Sequence, residues 1–179
     1  MIDLRLVEAV AKETRHDFER GTVKDDEIIA AATDFNYTHQ LRTYVYDPEE
    51  RDRLVRAGEL LVIDGKYFRI PLIKAGTFPN NCCNDAVPLL AQRLVESGAL
   101  VRDIVELIDG GCGKDKDALD PNSCYDNYHA FVGIGKTALG WDTIVDITAD
   151  QFGQGLPPVY VGQLKSPWTR EPRIELLQY

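Results

Sequence analysis

Thiol, imidazole and indole side chains are scarce in this chain of 179 residues, which has four cysteines, three histidines and two tryptophans. Four cysteines are too few for the disulfide framework of a small secreted domain. The sequence contains no Cys-x-x-Cys pair, which disfavours a structural zinc site built from Cys82, Cys112, Cys124 and His129. Any chemistry that uses a thiol and an imidazole must therefore come from very few residues.

Long hydrophobic runs and clusters of positive charge are also missing from the sequence. No stretch approaches the roughly 20 apolar residues of a membrane-spanning helix. The 20 basic residues are scattered and outnumbered by 29 acidic ones, so the net charge of −9 argues against a nucleic-acid-binding surface. The N-terminus carries charges among its apolar residues, unlike a secretory signal peptide. We therefore expect no membrane and no nucleic-acid partner, and a protein that is cytoplasmic or exported without a cleavable signal peptide.

The length and a hydrophobic fraction of 44% fit a single domain over residues 1–179. Within it the sequence predicts a helical N-terminal region, 1–58, and a core of helices and strands, 59–164. Apolar residues at helical spacing, with capping and glycine signals, predict three helices in the N-terminal region: Ile2–Phe18, Asp25–Phe35 and Pro48–Ala57. The first two of these helices are expected to pack together.

The core begins with a predicted hairpin of Leu60–Ile63 and Lys66–Ile70 around a type I′ turn. A helix follows and starts close to Asn84 or Asp85, because Pro88 is best tolerated in a first turn. Alternating or apolar runs then predict strands at 100–108, 128–135, 142–148 and 159–162. Helices followed by several strands in succession favour an α+β fold with an antiparallel sheet.

A candidate catalytic group lies at the start of the core helix, where Cys82 and Cys83 are adjacent. The helix dipole and free backbone N–H groups lower the pKa of a thiol at such a position. A cysteine nucleophile also needs a histidine base and a third group that orients it. His129 stands on a predicted strand, and Asp146 lies in an apolar run of the next strand, where a carboxylate needs a partner. The pattern predicts a triad of Cys82, His129 and Asp146.

This order of residues resembles the papain-like and transglutaminase-like superfamily of cysteine hydrolases, which includes glutamine-deamidating bacterial effectors. The segment NCCNDAVPLLAQRL is similar to the cysteine helix of that superfamily. YHAFVGIG and TIVDITADQF are similar to its histidine and aspartate strands. The resemblance covers residues 77–161.

The resemblance implies a papain-like or transglutaminase-like core, with the cysteine helix packed on the antiparallel sheet, and a thioester mechanism. The histidine base would take the proton of Cys82, whose sulfur would attack an amide carbonyl of a protein or peptide substrate. Backbone N–H groups at the helix start would hold the oxyanion, with the amide of Asn80 or Asn81 as a candidate helper. Gly76 and Thr77 occupy part of the region where the superfamily often has a side-chain amide, so the oxyanion hole stays unassigned.

Two alternatives concern individual residues. Cys83 competes with Cys82 for the role of nucleophile, and the register of Ala86 after the cysteines favours Cys82. Asp150 competes with Asp146 as the orienting carboxylate, but the segment TADQ is typical of a capped helical turn and gives Asp150 a structural role.

Taken together, the patterns predict a cysteine-dependent amide hydrolase or acyl transferase: a peptidase, a protein glutamine deamidase or a transglutaminase-like enzyme, such as a bacterial effector or toxin domain. No cofactor is expected, since Asp115, Asp117 and Asp120 lack the glycine and glutamate of a calcium loop. The alternative function is a catalytically inactive protein-binding module on the same scaffold. Thiol reactivity distinguishes the two, whereas the specific substrate and the oligomeric state do not follow from the sequence.

Overall fold

A computed structural model gives the fold and describes residues 2–41, 43–73, 76–112, 128–140, 142–152, 155–165 and 168–170. The α-helices are α1 (Leu4–Arg20), α2 (Asp25–Asp34), α3 (Pro48–Ala57), α4 (Cys83–Glu96) and α5 (Lys136–Leu139). The strands are β1 (Leu60–Ile63), β2 (Lys66–Arg69), β3 (Val105–Cys112), β4 (Tyr128–Ile134), β5 (Thr143–Asp146), β6 (Tyr160–Gln163) and β7 (Trp168–Arg170). The fold combines helices with antiparallel sheets, which confirms the α+β class.

Local capping signals set the ends of the N-terminal helices. The Asp3 carboxylate accepts backbone N–H groups at the start of α1, and the Asp47 carboxylate does the same for α3, where Pro48 takes the first helical position. Both helices end at a glycine in the left-handed conformation, Gly21 with φ +66° and Gly58 with φ +69°. The three helices predicted for this region are thus confirmed to within a few residues.

The cysteine-bearing helix α4 begins earlier than the sequence predicts. The carbonyl of Cys82 accepts the N–H of Asp85 at 3.1 Å and the N–H of Ala86 at 2.9 Å, so the first turn closes on Cys82. Pro88 consequently lies inside the helix. Of the two outcomes open to Pro88, a first-turn position or a kink, the first is therefore not realised, and the helix loses one internal hydrogen bond at this position.

The strands form two antiparallel sheets. The predicted hairpin is present as β1 and β2, with Asp64 and Gly65 at φ +50° and +75° as a type I′ turn requires. The larger sheet has the strand order β6-β5-β4-β3-β7. The expected strand at 100–108 begins only at Val105, after a 3₁₀ turn, and the edge strand β7 was not predicted.

The main hydrophobic cluster joins the N-terminal helices to the sheet through α4. Both α1 and α2 pack on α4, which also packs on β4. The cluster contains residues from all of these elements, among them Val7, Ile28, Leu90 and Val132. A smaller cluster contains Phe131, which points to the other face of β4 because successive side chains alternate. Helix α4 is therefore held between the N-terminal helices and the sheet.

Within the described part of the chain, no helix is both long and apolar enough to cross a bilayer.

Candidate functional site

The imidazole of His129 and the carboxylate of Asp146 form the centre of the candidate site. His129 is near the start of β4, and Asp146 ends the antiparallel neighbour β5. Their Nε2 and Oδ2 atoms are 2.6 Å apart, and the two residues are 0% and 1% exposed. The structure thus brings together two of the predicted triad residues.

Four hydrogen bonds satisfy the carboxylate of Asp146. Besides His129, Trp168 donates its indole N–H to Oδ2 at 2.7 Å. Thr148 donates its backbone N–H at 2.9 Å and its hydroxyl at 3.3 Å to Oδ1. Burial alone would raise the pKa of Asp146, but His129, Trp168 and Thr148 outweigh burial and lower that pKa. An ionised Asp146 can only accept, so the proton between the two residues belongs to His129 Nε2.

Cys83, the first residue of α4, is a further neighbour of the ring. Its thiol is within hydrogen-bonding reach of the His129 ring. Burial alone would lower the pKa of His129, but the charge and hydrogen bond of Asp146, with a smaller contribution from Cys83, raise it to about 9. Cys83 thus combines a position at a helix start with an imidazole neighbour.

Cys82 has contacts within its own loop. Its thiol lies 3.2 Å from the carbonyl oxygen of Asn80 and 3.8 Å from the hydroxyl of Thr77. The residue is 0% exposed and occupies the N-cap position of α4. Because the helix begins at Cys83, the first helical position goes to Cys83. The role of Cys82 as nucleophile stays a prediction.

Asn81, the candidate oxyanion helper, is exposed and takes the left-handed conformation with φ +55°. Asparagine is one of the few non-glycine residues that adopts this region readily. The contact that fixes Asn81 comes from its backbone, whose N–H donates to Oε1 of Gln151 at 2.9 Å. The proposed role of its side-chain amide stays a prediction.

Gln151 joins the cysteine loop to the histidine. It lies in the 3₁₀ turn Ala149–Phe152 that follows β5. While its Oε1 accepts from Asn81, its Nε2 lies 3.2 Å from Nδ1 of His129. One amide side chain therefore contacts both the loop before the cysteines and the ring of His129.

Arg15 of α1 fixes the turn that carries Gln151. Its guanidinium binds both carboxylate oxygens of Asp150 at 2.8 Å and donates to the carbonyls of Ile147 and Pro158 at 2.7 and 2.9 Å. It also lies over the ring of Phe78 in the cysteine loop, 5.4 Å from the centroid. Asp150 is therefore paired with Arg15 and is separate from the Asp146–His129 pair, as the sequence suggests.

A second polar group lies next to the cysteines, around Asn84. The hydroxyl of Tyr37 is 2.7 Å from Oδ1 of Asp109 and 3.2 Å from Oδ1 of Asn84. Asn84 follows Cys83 in α4, and Asp109 precedes Gly110, the β3 residue that pairs with His129. The N-terminal region thus contacts both elements that carry the candidate thiol and base.

A cavity of about 550 Å³ opens elsewhere, where the end of α1 meets the start of α2. Phe18, Ile28 and Phe78 are among its lining residues, and none of the candidate triad lines it. In the described ranges no cluster of three or more His, Cys, Asp or Glu residues could hold a metal ion. The acidic loop with Asp115, Asp117 and Asp120 lies outside the described residues, as does Cys124.

Three residues of the site escape the sequence analysis. Gln151 follows Asp146 by five positions, and its segment signals only a helical turn. Arg15 has the spacing of a solvent-facing helical residue. Trp168 stands in a segment without a strand pattern. A buried aspartate that needs several donors was the one signal that pointed toward such partners.

No protein-family model matches this chain, and neither a curated protein nor a solved structure matches it. The residues and their geometry alone therefore carry the functional argument.

Proposed function

We propose that this chain is a cysteine-dependent amide hydrolase or acyl transferase with a papain-like or transglutaminase-like core. Cys83 is the nucleophile, His129 the base and Asp146 the orienting carboxylate. The observation that carries the proposal is the buried group in which His129 lies beside the Cys83 thiol and is hydrogen-bonded to Asp146. Nucleophile, base and orienting group at hydrogen-bonding distance are the mark of an activated nucleophile.

In the first half of the reaction, the ring takes the thiol proton at Nδ1, because Asp146 holds the proton on Nε2. The sulfur of Cys83 attacks the carbonyl carbon of an amide. When the C–N bond breaks, the Nδ1 proton goes to the departing amine or ammonia, and a thioester remains. The N–H of Cys83 belongs to the helix turn that lacks intrahelical partners and is our candidate donor to the oxyanion.

In the second half, the thioester is resolved by a second nucleophile. Water gives a carboxylic acid, and an amine gives a new amide. In either case His129 receives a proton from the attacking group and returns one to the Cys83 sulfur, so the enzyme is restored. A peptidase, a glutamine deamidase and a transglutaminase-like enzyme share these steps and differ in which carbonyl enters and what resolves the thioester. Protein or peptide amides are the proposed substrate class.

The alternative function is a protein-binding module with an inactive triad. Low exposure favours it, since Cys83 is 6% exposed and His129 0%. An enzyme needs its substrate carbonyl to reach the sulfur of Cys83, and the low exposure of this residue leaves little room for a substrate. Thiol reactivity separates the two functions.

The test is the rate of iodoacetamide labelling between pH 5 and 9, mapped to individual cysteines by mass spectrometry. We expect Cys83 to label fastest, because the neighbouring His129 can take its proton. His129→Gln should slow the labelling of Cys83 about tenfold or more, because the base that takes this proton is removed.

The adjacent cysteine provides the matched control. Cys82→Ser should leave the fast phase intact, whereas Cys83→Ser should abolish it. Fast labelling of Cys82 would overturn the choice of nucleophile. Slow labelling of every cysteine, with no dependence on His129, would favour the binding module. If Cys83 is reactive, release of ammonia or amine from glutamine-containing peptides then separates the enzyme classes.

A further inference from the structure

We propose that Gln151 is a positioning residue that disfavours protonation of His129 at Nδ1 while it holds the backbone of Asn81 in front of the cysteines. As a device of catalysis this inference deepens the proposed function and rests on it. As a statement about the protonation of His129 it can be tested without any substrate.

The orientation of the Gln151 amide follows from its two neighbours. The backbone N–H of Asn81 can only donate, so the amide oxygen must face it, at 2.9 Å. The NH₂ group is then the end that faces Nδ1 of His129, at 3.2 Å. An NH₂ group can only donate, so this contact is a hydrogen bond only when Nδ1 carries a lone pair.

The opposite side of the ring requires the same tautomer. Asp146 accepts from Nε2, so in the neutral ring the proton is on Nε2 and the lone pair is on Nδ1. Nδ1 is the nitrogen that must take the proton of Cys83 in the proposed mechanism. Gln151 therefore selects the form of the ring that can act as a base.

Gln151 also opposes the effect that two neighbouring titratable groups have on the protonation of His129. Asp146 from β5 and Cys83 from α4 both favour the protonated ring and raise its pKa. The Gln151 donor disfavours protonation at Nδ1, because an Nδ1–H would face an N–H. This opposition moves His129 toward the range in which a base can both take and return a proton near neutral pH.

The contact requires a fixed amide, and the neighbouring residues hold it in place. Asp150, adjacent to Gln151, is bound at both oxygens by Arg15, and Asn81 is held in a left-handed conformation. Because these neighbours already hold the Gln151 amide in place, it loses little conformational entropy when it contacts the ring.

The experiment follows the ring nitrogens of His129 by ¹H–¹⁵N NMR as a function of pH. It uses a Cys83→Ala background, so that no neighbouring thiol affects the titration of the ring. Only three histidines contribute signals. Gln151→Glu keeps an acceptor for Asn81 and turns the donor facing Nδ1 into an acceptor. We expect it to raise the midpoint of His129 by about one pH unit or more, a tenfold increase in proton affinity. Gln151→Met, which removes the donor without adding an acceptor, should raise the midpoint by less.

The control is Gln163→Glu, which adds the same charge at an exposed position of β6. Screening by solvent and salt should limit its effect to less than about 0.3 of a pH unit. The proposal would be overturned if the titration midpoint of His129 were unchanged in both Gln151→Glu and Gln151→Met. It would also be overturned if the neutral ring carried its proton on Nδ1 when Gln151 is present. Because Cys83 is absent from this experiment, its result is independent of whether Cys83 proves reactive.

Discussion

Among single residues, Asp146 depends most on its hydrogen-bond partners, because its charge is almost completely removed from water. Each oxygen accepts two hydrogen bonds, and each donor compensates part of the lost hydration. Two nearby buried threonines distinguish the effect of a hydrogen bond to Asp146 from the effect of burial alone. The Thr148 hydroxyl donates to Asp146, whereas the hydroxyl of Thr143 has no partner among the described residues. Both threonines are 1% exposed.

We expect opposite effects when the two hydroxyls are replaced by methyl groups. Thr148→Val should lower the free energy of unfolding by about 1–2 kcal/mol, because a charged acceptor loses a buried donor. Thr143→Val should leave it unchanged or raise it by up to about 1 kcal/mol, because an unsatisfied hydroxyl is removed. Urea unfolding of the two variants at the same pH provides the comparison. Equal destabilisation by both would show that the Thr148 hydroxyl contributes nothing specific.

At the scale of secondary-structure elements, α1 supports the site although it supplies none of the reacting groups. Arg15 links α1 to the turn after β5 and to the cysteine loop at Phe78. Burial opposes the charge of Arg15, but Asp150 and Glu19 outweigh it and raise the pKa of the guanidinium. The predicted helical N-terminal region is thus part of the environment of Gln151.

Arg15→Met should destabilise the protein by about 3 kcal/mol, because it leaves Asp150 and two carbonyl groups without their buried donor. Arg93→Met is the matched control, since it breaks the partly exposed ion pair with Asp17 and should cost less than about 1 kcal/mol. Urea unfolding measures both. If Arg15→Met costs no more than Arg93→Met, the Arg15 network does not stabilise the turn as described.

The sequence predicts an element well when the residues that determine it are close together along the chain. Helices α1 and α3 follow from their own caps and glycines, and the β1–β2 hairpin from its turn. The pair of His129 and Asp146 follows from adjacent antiparallel strands. By contrast, the contact of Arg15 with Asp150 joins residues 135 positions apart, and no local pattern encodes it.

The choice between Cys82 and Cys83 is difficult for a related reason. It depends on where α4 begins, and a helix boundary is the least determined part of a sequence-based prediction. A shift of one residue exchanges the capping position and the first-turn position. The papain-like or transglutaminase-like core stays a proposal.

At the scale of the whole molecule, the buried pair of His129 and Asp146 couples folding to pH. The pKa of His129 is raised to about 9 in the folded state, so its contribution is complete below about pH 6.5 and is lost as the pH rises toward 9. The pKa of Asp146 is lowered, so its contribution is present above its ordinary value and is lost as the pH falls below it.

We therefore expect the free energy of unfolding to be highest between about pH 4 and 6.5 and to fall by up to about 3 kcal/mol toward pH 9. Urea unfolding at intervals of one pH unit tests this. His129→Gln should remove most of the alkaline decline, whereas His16→Gln, at an exposed position of α1, should retain it. An alkaline decline that persists in His129→Gln would assign the pH dependence to other groups.

Trp168 gives the protein an internal optical reporter. It is one of two tryptophans, its indole N–H donates to Asp146 at 2.7 Å, and its ring stacks on Tyr160 with centroids 4.1 Å apart. Indole emission responds to the charge of the group that accepts its N–H. Replacing Trp141 with phenylalanine would leave a single emitter in contact with the orienting carboxylate, so that protonation of Asp146 could be followed by fluorescence, without a substrate and without a label.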